Sequence, residues 1–248
     1  MRRVIIMALA LTAAAAPAVP AAPARPVVWV QAGHEGPREP GYTAQTGAGG
    51  GPFGSEVAFT TRVAAVVVRR LDAAGVDARR TPGLVTPWGA PGATFISIHH
   101  DAAGGRGGVG HAVAGTTENW YHGEGFGTAS PRPYADSAPH RRATTVSAGV
   151  ERRSTGLARL VAARIRGLRA KLGGATAPFD GVLPDSGNVR MMHFYGYFRT
   201  TADARVLVEC GAAGADDRFL SNTTAIGTAL ARAIVQDLRA RGLLPAAG

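Results

Sequence analysis

Residues Thr94–His99 read TFISIH, an apolar and β-branched run closed by a histidine. A short run of this kind, bounded by turn residues, predicts a strand buried on both sides, as in a parallel sheet. Two other segments repeat the pattern. Pro26–Gln31 reads PVVWVQ and is followed by Ala32-Gly33-His34-Glu35-Gly36. Arg205–Cys210 reads RVLVEC and is followed by glycine. Each predicts a buried strand that ends in a glycine-containing loop.

The segments between these strands carry helical spacing. Ser55 is suited to cap a helix opening at Glu56, with Phe59, Val63, Val66, Val67 and Leu71 on one face and Gly75 after it. Ser154–Lys171 has the same spacing through Leu157, Leu160, Val161, Ile165 and Leu168. Ser221 or Asn222 caps a last helix, with Ile226, Leu230, Ile234 and Leu238 in line and Gly242 beyond. Val76–Arg80 reads as a further strand and Gly107–Gly115 as an edge strand. Strands alternating with helices predict one α/β domain, residues 25–248, built on a twisted, largely parallel sheet with helices on both faces.

Composition bounds the rest. The chain has 248 residues, a formal charge of +10 and 46% apolar residues, so it is neither disordered nor, lacking a Gly-X-Y period, collagenous. Lys171 is its single lysine, and arginine supplies the remaining positive charge. That bias towards arginine is no argument for nucleic acid, and none is expected as a partner. Cys210 is the single cysteine, so no internal disulfide forms. Residues 1–24 have two arginines, an apolar stretch from Val4 to Ala16 and a small-residue end at Ala22-Pro23-Ala24. This is the layout of a secretory signal, too short to span a bilayer, and it predicts export to the periplasm or the extracellular wall. No transmembrane segment is expected after it. The basic charge is suited to steering towards an anionic surface such as a cell wall. Residues 116–153 hold many Gly and Pro with Trp120, Tyr121, Phe126 and Tyr134, and read as a long non-helical insertion beside a substrate cleft.

In open α/β sheets, chemistry sits at the carboxyl ends of strands. His34, His99 and Glu209 all lie at such ends, and Glu56 opens the helix reached from the His34 loop. A glutamate inside an apolar strand is costly unless it is paired or serves a metal. Two imidazoles and a carboxylate make a common zinc site with one position left for water, and a further carboxylate can move the proton of that water. On residue type and position alone, these groups read more readily as loop histidines and an N-terminal helix acid. His100 is turned to the other face by strand alternation. Asp101 either orients a histidine or caps a loop. His111, His122 and His193 read as surface histidines. No Cys-His motif supports Cys210 as a nucleophile.

The words VVWVQAGHEG, GPFGSEVAFTTRVAAVVVRRLDAAGVDARRTP, ATFISIHHDA and ARVLVECG occur in this order. Together they resemble the zinc-dependent N-acetylmuramoyl-L-alanine amidases of the bacterial cell wall. That family carries a strand–(D)-x-G-H-G loop, a Glu opening the next helix, an S-I-H-x-(N/D)-A strand end and a late V-E-x-G strand. The match spans residues 26–115 and 186–242. The resemblance implies zinc held by His34, Glu56 and His99, and Glu209 as the catalytic acid/base. It implies hydrolysis of the amide joining N-acetylmuramic acid to L-alanine, in peptidoglycan or in soluble muropeptides. Gln31 stands where the family usually has Asp, Glu35 where Gly is common, and Cys210 to Gly214 replace the usual G-F-x-(S/T)-N. Other zinc amidohydrolases and carboxypeptidases share this inventory, although the H-x-x-E of carboxypeptidases is absent because Pro37 falls three after His34. A non-catalytic wall-binding relative would keep the fold without the reaction.

Overall fold

The computed structural model describes residues 24–35, 47–81, 89–115, 146–184 and 200–246. Six strands form one sheet: β1 (Val27–Ala32), β2 (Asp77–Thr81), β3 (Thr94–Asp101), β4 (Gly107–His111), β5 (Phe179–Pro184) and β6 (Arg205–Ala212). Their order is β2-β1-β3-β6-β4-β5. β2, β1, β3 and β6 run parallel; β4 opposes β6, and β5 runs parallel to β4. The predicted α/β class and largely parallel sheet are therefore what the chain adopts.

Two differences concern β4 and β5. The expected edge strand is internal, and it ends at His111 rather than Gly115. The outer place belongs to β5, whose sequence FDGVLP gives a weak strand signal because Gly181 (φ +85°) and Pro184 break its pattern.

Four helices are described: α1 (Glu56–Ala73), α2 (Ala148–Leu172), α3 (Asp217–Leu220) and α4 (Thr223–Ala240). Ser55 Oγ accepts from the Ala58 N–H at 3.2 Å and starts α1 as expected. α2 begins six residues before the predicted Ser154, with Ser147 as its cap. Ser154, inside the helix, is fully buried and accepts from the Arg205 N–H at 2.9 Å. The last residues of the stretch read as a non-helical insertion are thus helical, and 116–145 lie outside the described residues, as do 1–23 of the signal. The last helix is preceded by Asn222. Its side chain makes no capping bond but donates to the Arg218 carbonyl at 2.7 Å.

Strand alternation sorts the core. Val28, Val30, Ile96, Ile98, Val206 and Val208 share one face by register, and α1, α2 and α4 bury Phe59, Val63, Leu157, Ile165, Leu230 and Ile234 against it. Burying side chains of this size contributes about 1.5–3 kcal/mol each. The expected helices on both faces are found, among the described residues, on this face only. The second face carries Trp29 and Phe95, then Gln31, Ser97 and Leu207, then His99 and Glu209 at the carboxyl edge. No described helix is long and apolar enough to cross a membrane.

The topology positions the site. From β1 the chain turns to β2 on one side, then crosses back to β3 on the other. Such a reversal opens a crevice outside the carboxyl ends of the two strands, here after Ala32 and at His99.

Candidate metal centre

His34 follows β1 in a left-handed conformation, φ +57°, the only non-glycine of positive φ among the described residues. Its loop is tied down on three sides. The Gly33 N–H donates to the Ile98 carbonyl at 3.0 Å, the Thr60 hydroxyl donates to the Gly33 carbonyl at 2.7 Å, and Glu35 pairs with Arg80 of β2. Gly33 must lack a side chain, because a Cβ there would stand 2.2 Å from His99 Cε1. The His99 ring thus rests on the Gly33 backbone, with the His34 ring edge-on to it at 5.0 Å.

Glu56, the first residue of α1, reaches into this crevice and is 2% exposed. Its Oε1 lies 3.1 Å from His99 Nδ1 and accepts from the His100 N–H at 3.3 Å; its Oε2 lies 3.5 Å from His34 Nε2. The Ala48 N–H also donates to Oε2. Burial alone would raise this carboxyl. The His99 hydrogen bond, the charges of His99 and His34 and the Ala48 N–H outweigh it, and the pKa falls to about 2. Glu56 is therefore ionised at neutral pH.

His34, Glu56 and His99 each offer one ligand atom within 4.8 Å of the others, and all three are buried. This is the one such cluster of His, Cys, Asp and Glu among the described residues. Two imidazole nitrogens and an ionised carboxylate converging at separations of 3 to 5 Å are what a tetrahedral divalent ion requires of three ligands. The residues present fit a metal. His99 Nε2 meets Ser97 Oγ at 2.9 Å, a partner that fixes the ring and leaves Nδ1 directed at Glu56. Neither Ser97 nor Thr60 was singled out from the sequence. Ser97 is two residues before His99 in a strand, so the period of two was a usable signal.

Glu209 stands outside the cluster but beside it. It is the register partner of His99 across β3 and β6 and shares its face, and its other neighbour, Gly108, has no side chain to cover it. Unlike the three clustered residues it is partly exposed. His100 turns to the helical face as alternation demands, packing edge-on to Phe53 and Phe59 at 4.9 and 5.3 Å. Asp101 is a loop cap, accepting from the Ala102 and Arg106 N–H groups at 2.7 and 3.0 Å. His111 was read as a surface histidine; it is instead buried in β4, with Nδ1 3.1 Å from the Ala112 carbonyl oxygen and 3.3 Å from Thr155 Oγ1. His122 and His193 lie outside the described residues. Cys210 is fully buried, and burial together with the nearby Glu209 and Glu56 charges holds its thiol far above the ordinary range, against the weaker pull of Arg169. It is no nucleophile.

No protein-family model matches the chain, and no curated protein matches it in sequence. Solved structures do match in three dimensions. The N-acetylmuramoyl-L-alanine amidase AmiC2 of Nostoc punctiforme is 15% identical with a TM-score of 0.53, covering 88% of this chain and 99% of that one. Ami1, the N-acetylmuramyl-L-alanine amidase of Mycobacterium smegmatis, is 16% identical with a TM-score of 0.51, covering 86% and 97%. Cwp6 of Clostridium difficile is 15% identical with a TM-score of 0.51; the match covers 87% of this chain and 30% of that longer one. The similarity lies in three-dimensional arrangement rather than residue identity, and by that arrangement this chain has the fold of the N-acetylmuramoyl-L-alanine amidases.

Proposed function

We propose that the chain is an exported zinc hydrolase that cuts the amide between the lactyl group of N-acetylmuramic acid and the L-alanine of the stem peptide. The observation that carries this reading is the convergence of His34, Glu56 and His99 at the topological switch point, with Glu209 adjacent on the next strand. The four sequence words shared with the wall amidases and the common fold support it. The substrate is peptidoglycan or a muropeptide, reached after removal of residues 1–24, with residues 25–248 as the catalytic domain.

In this reading His34, Glu56 and His99 hold the ion. Zinc held there would supply Lewis-acid polarisation of the scissile carbonyl and a water of lowered pKa, about 7. Ser97 and the Gly33 backbone keep the His99 ring in place. Thr60 and the Glu35–Arg80 pair keep the His34 loop in place. Glu209 takes the proton of the attacking water and delivers it to the amide nitrogen as the C–N bond breaks. The products are the lactyl carboxylate and the free amino group of L-alanine.

The test is mass spectrometry of muropeptides incubated with the zinc-loaded mature chain. The expected products are a free sugar lactate and a peptide with an L-alanine amino terminus. Cleavage at another amide, or none with zinc bound, overturns the reading.

A further inference from the structure

The outer side of the helical layer carries a second feature, remote in kind from the metal cluster. A groove of about 740 Å³ lies between α2 and α4, and a hollow of about 470 Å³ between α4 and α1. Both are lined by Arg164, Thr228 and Arg232, so they form one oblique track over α4. Lys171 lies in the first part, Arg70 and Arg239 in the second. Among the described residues no acidic side chain lines either part.

Several arginines outside the track have acidic partners. Arg79 pairs with Asp77, Arg80 with Glu35, Arg106 with Asp180, Arg153 with Asp203 and Arg169 with Asp216. The five cations of the track make no ion pair with any described residue; Arg164 and Arg239 donate to the neutral oxygens of Gln236 and Pro245. An arginine-rich composition accounts for many arginines, but not for a track from which acids are excluded. Spacing adds a second point. Arg164 and Lys171 are seven residues apart on α2, as are Arg232 and Arg239 on α4, which is two helical turns, about 10 Å, in each case. Positive charge therefore recurs along the track.

We propose that this track binds a linear, flexible polyanion of phosphodiester-linked polyols, as an extracytoplasmic wall polymer would present. Guanidinium forks match phosphate oxygens. No aromatic side chain lines the track to stack on bases, so single-stranded nucleic acid is poorly served. The five exposed cations line two connected depressions, a shape that suits a linear chain. A bound polymer would hold the enzyme at the wall by long-range charge.

The test is titration of the full chain with a synthetic poly(glycerol phosphate) across salt concentrations. Metal-free protein serves, so the result is independent of whether the amide-hydrolysis reading holds. The double variant Arg164→Ala/Arg232→Ala should weaken binding about tenfold or more at low salt and reduce the log–log salt slope by about two. Arg79→Ala/Arg106→Ala removes the same charge elsewhere and should leave affinity nearly unchanged. Both pairs are on the surface, and matching melting curves check that the fold is kept. Equal weakening by the two double variants would reduce the effect to net charge and overturn the site. Tighter binding of an oligonucleotide, a polyuronate or anionic lipid vesicles at equal charge, lost in the Arg164/Arg232 variant, would overturn the choice of ligand.

Discussion

Ser97 Oγ lies 2.9 Å from Nε2 of His99, and both side chains are buried on the same face of β3. The contact decides which nitrogen of the ring is available. In the metal-free chain Nδ1 hydrogen-bonds Glu56; in a metal-loaded chain, Nε2–H donating to the hydroxyl would free Nδ1 for the ion. Groups that orient a metal-bound imidazole in this way are typically worth about 10- to 100-fold in metal affinity. Ser97→Ala should therefore raise the zinc dissociation constant by about that factor while the melting temperature of the metal-free protein changes little. Competition with a zinc chelator measures it. Unchanged affinity would mean that the Gly33 backbone alone fixes the ring.

Much of this site was readable before any coordinates. A histidine or glutamate closing an apolar strand stands out against its neighbours, and that contrast picked out His99 and Glu209; position after the first strand picked out His34. The supporting groups were not readable in the same way. Gly33 stands in the G-H loop word, but the ring that demands it lies 66 positions later in the chain, and Thr60 is demanded by a carbonyl in another loop, so nothing local shows why either is needed. The parallel half of the sheet followed from continuous apolar runs. β4 was expected as a strand, but its internal, antiparallel place and the glycine-broken β5 were not, because that pairing rests on long-range register rather than on composition.

Asp216 and Arg169 form a buried clasp between the end of β6 and α2. The carboxylate accepts from both guanidinium nitrogens at 2.6 and 3.4 Å and from the Ala177 and Ala212 N–H groups at 2.9 and 3.1 Å. Phe179 and Phe219 pack beside the guanidinium, 5.5 and 5.4 Å from ring centre to Cζ. Removing one partner strands a buried charge. Asp216→Leu should cost about 3–5 kcal/mol in urea unfolding, and adding Arg169→Met should recover a large part of it. If the double variant is as unstable as the two single losses added, the pair is not coupled.

Glu56 makes the metal-free fold sensitive to acid. Its carboxyl titrates near 2 in the folded chain against an ordinary value of 4.5, a depressed pKa. A depressed acid contributes stability that is fully present above the unfolded value and lost as pH falls through the folded one. Metal-free protein should thus lose stability between about pH 4.5 and pH 2, by about 3 kcal/mol from this group. Glu56→Gln should flatten that part of the curve. An identical acid limb in the Gln variant would assign the loss to other carboxylates.

Glu209 is expected to move protons and not to bind the ion. It is partly exposed, whereas His34, Glu56 and His99 are buried, and it stands one strand away from the ring it accompanies. Replacing it with glutamine keeps size and polarity but removes the base. Zinc content should therefore stay at one equivalent and the melting curve should be preserved. Turnover on muropeptides should fall by about 10²–10⁴, the usual contribution of general acid–base help. His34→Ala is the counterpart, and it should lose zinc and activity together. Metal analysis and rate are to be read on the same preparation of each variant. If Glu209→Gln loses zinc, the carboxylate is a ligand and the cluster has four protein donors. If it keeps both zinc and full turnover, the proton travels through another group.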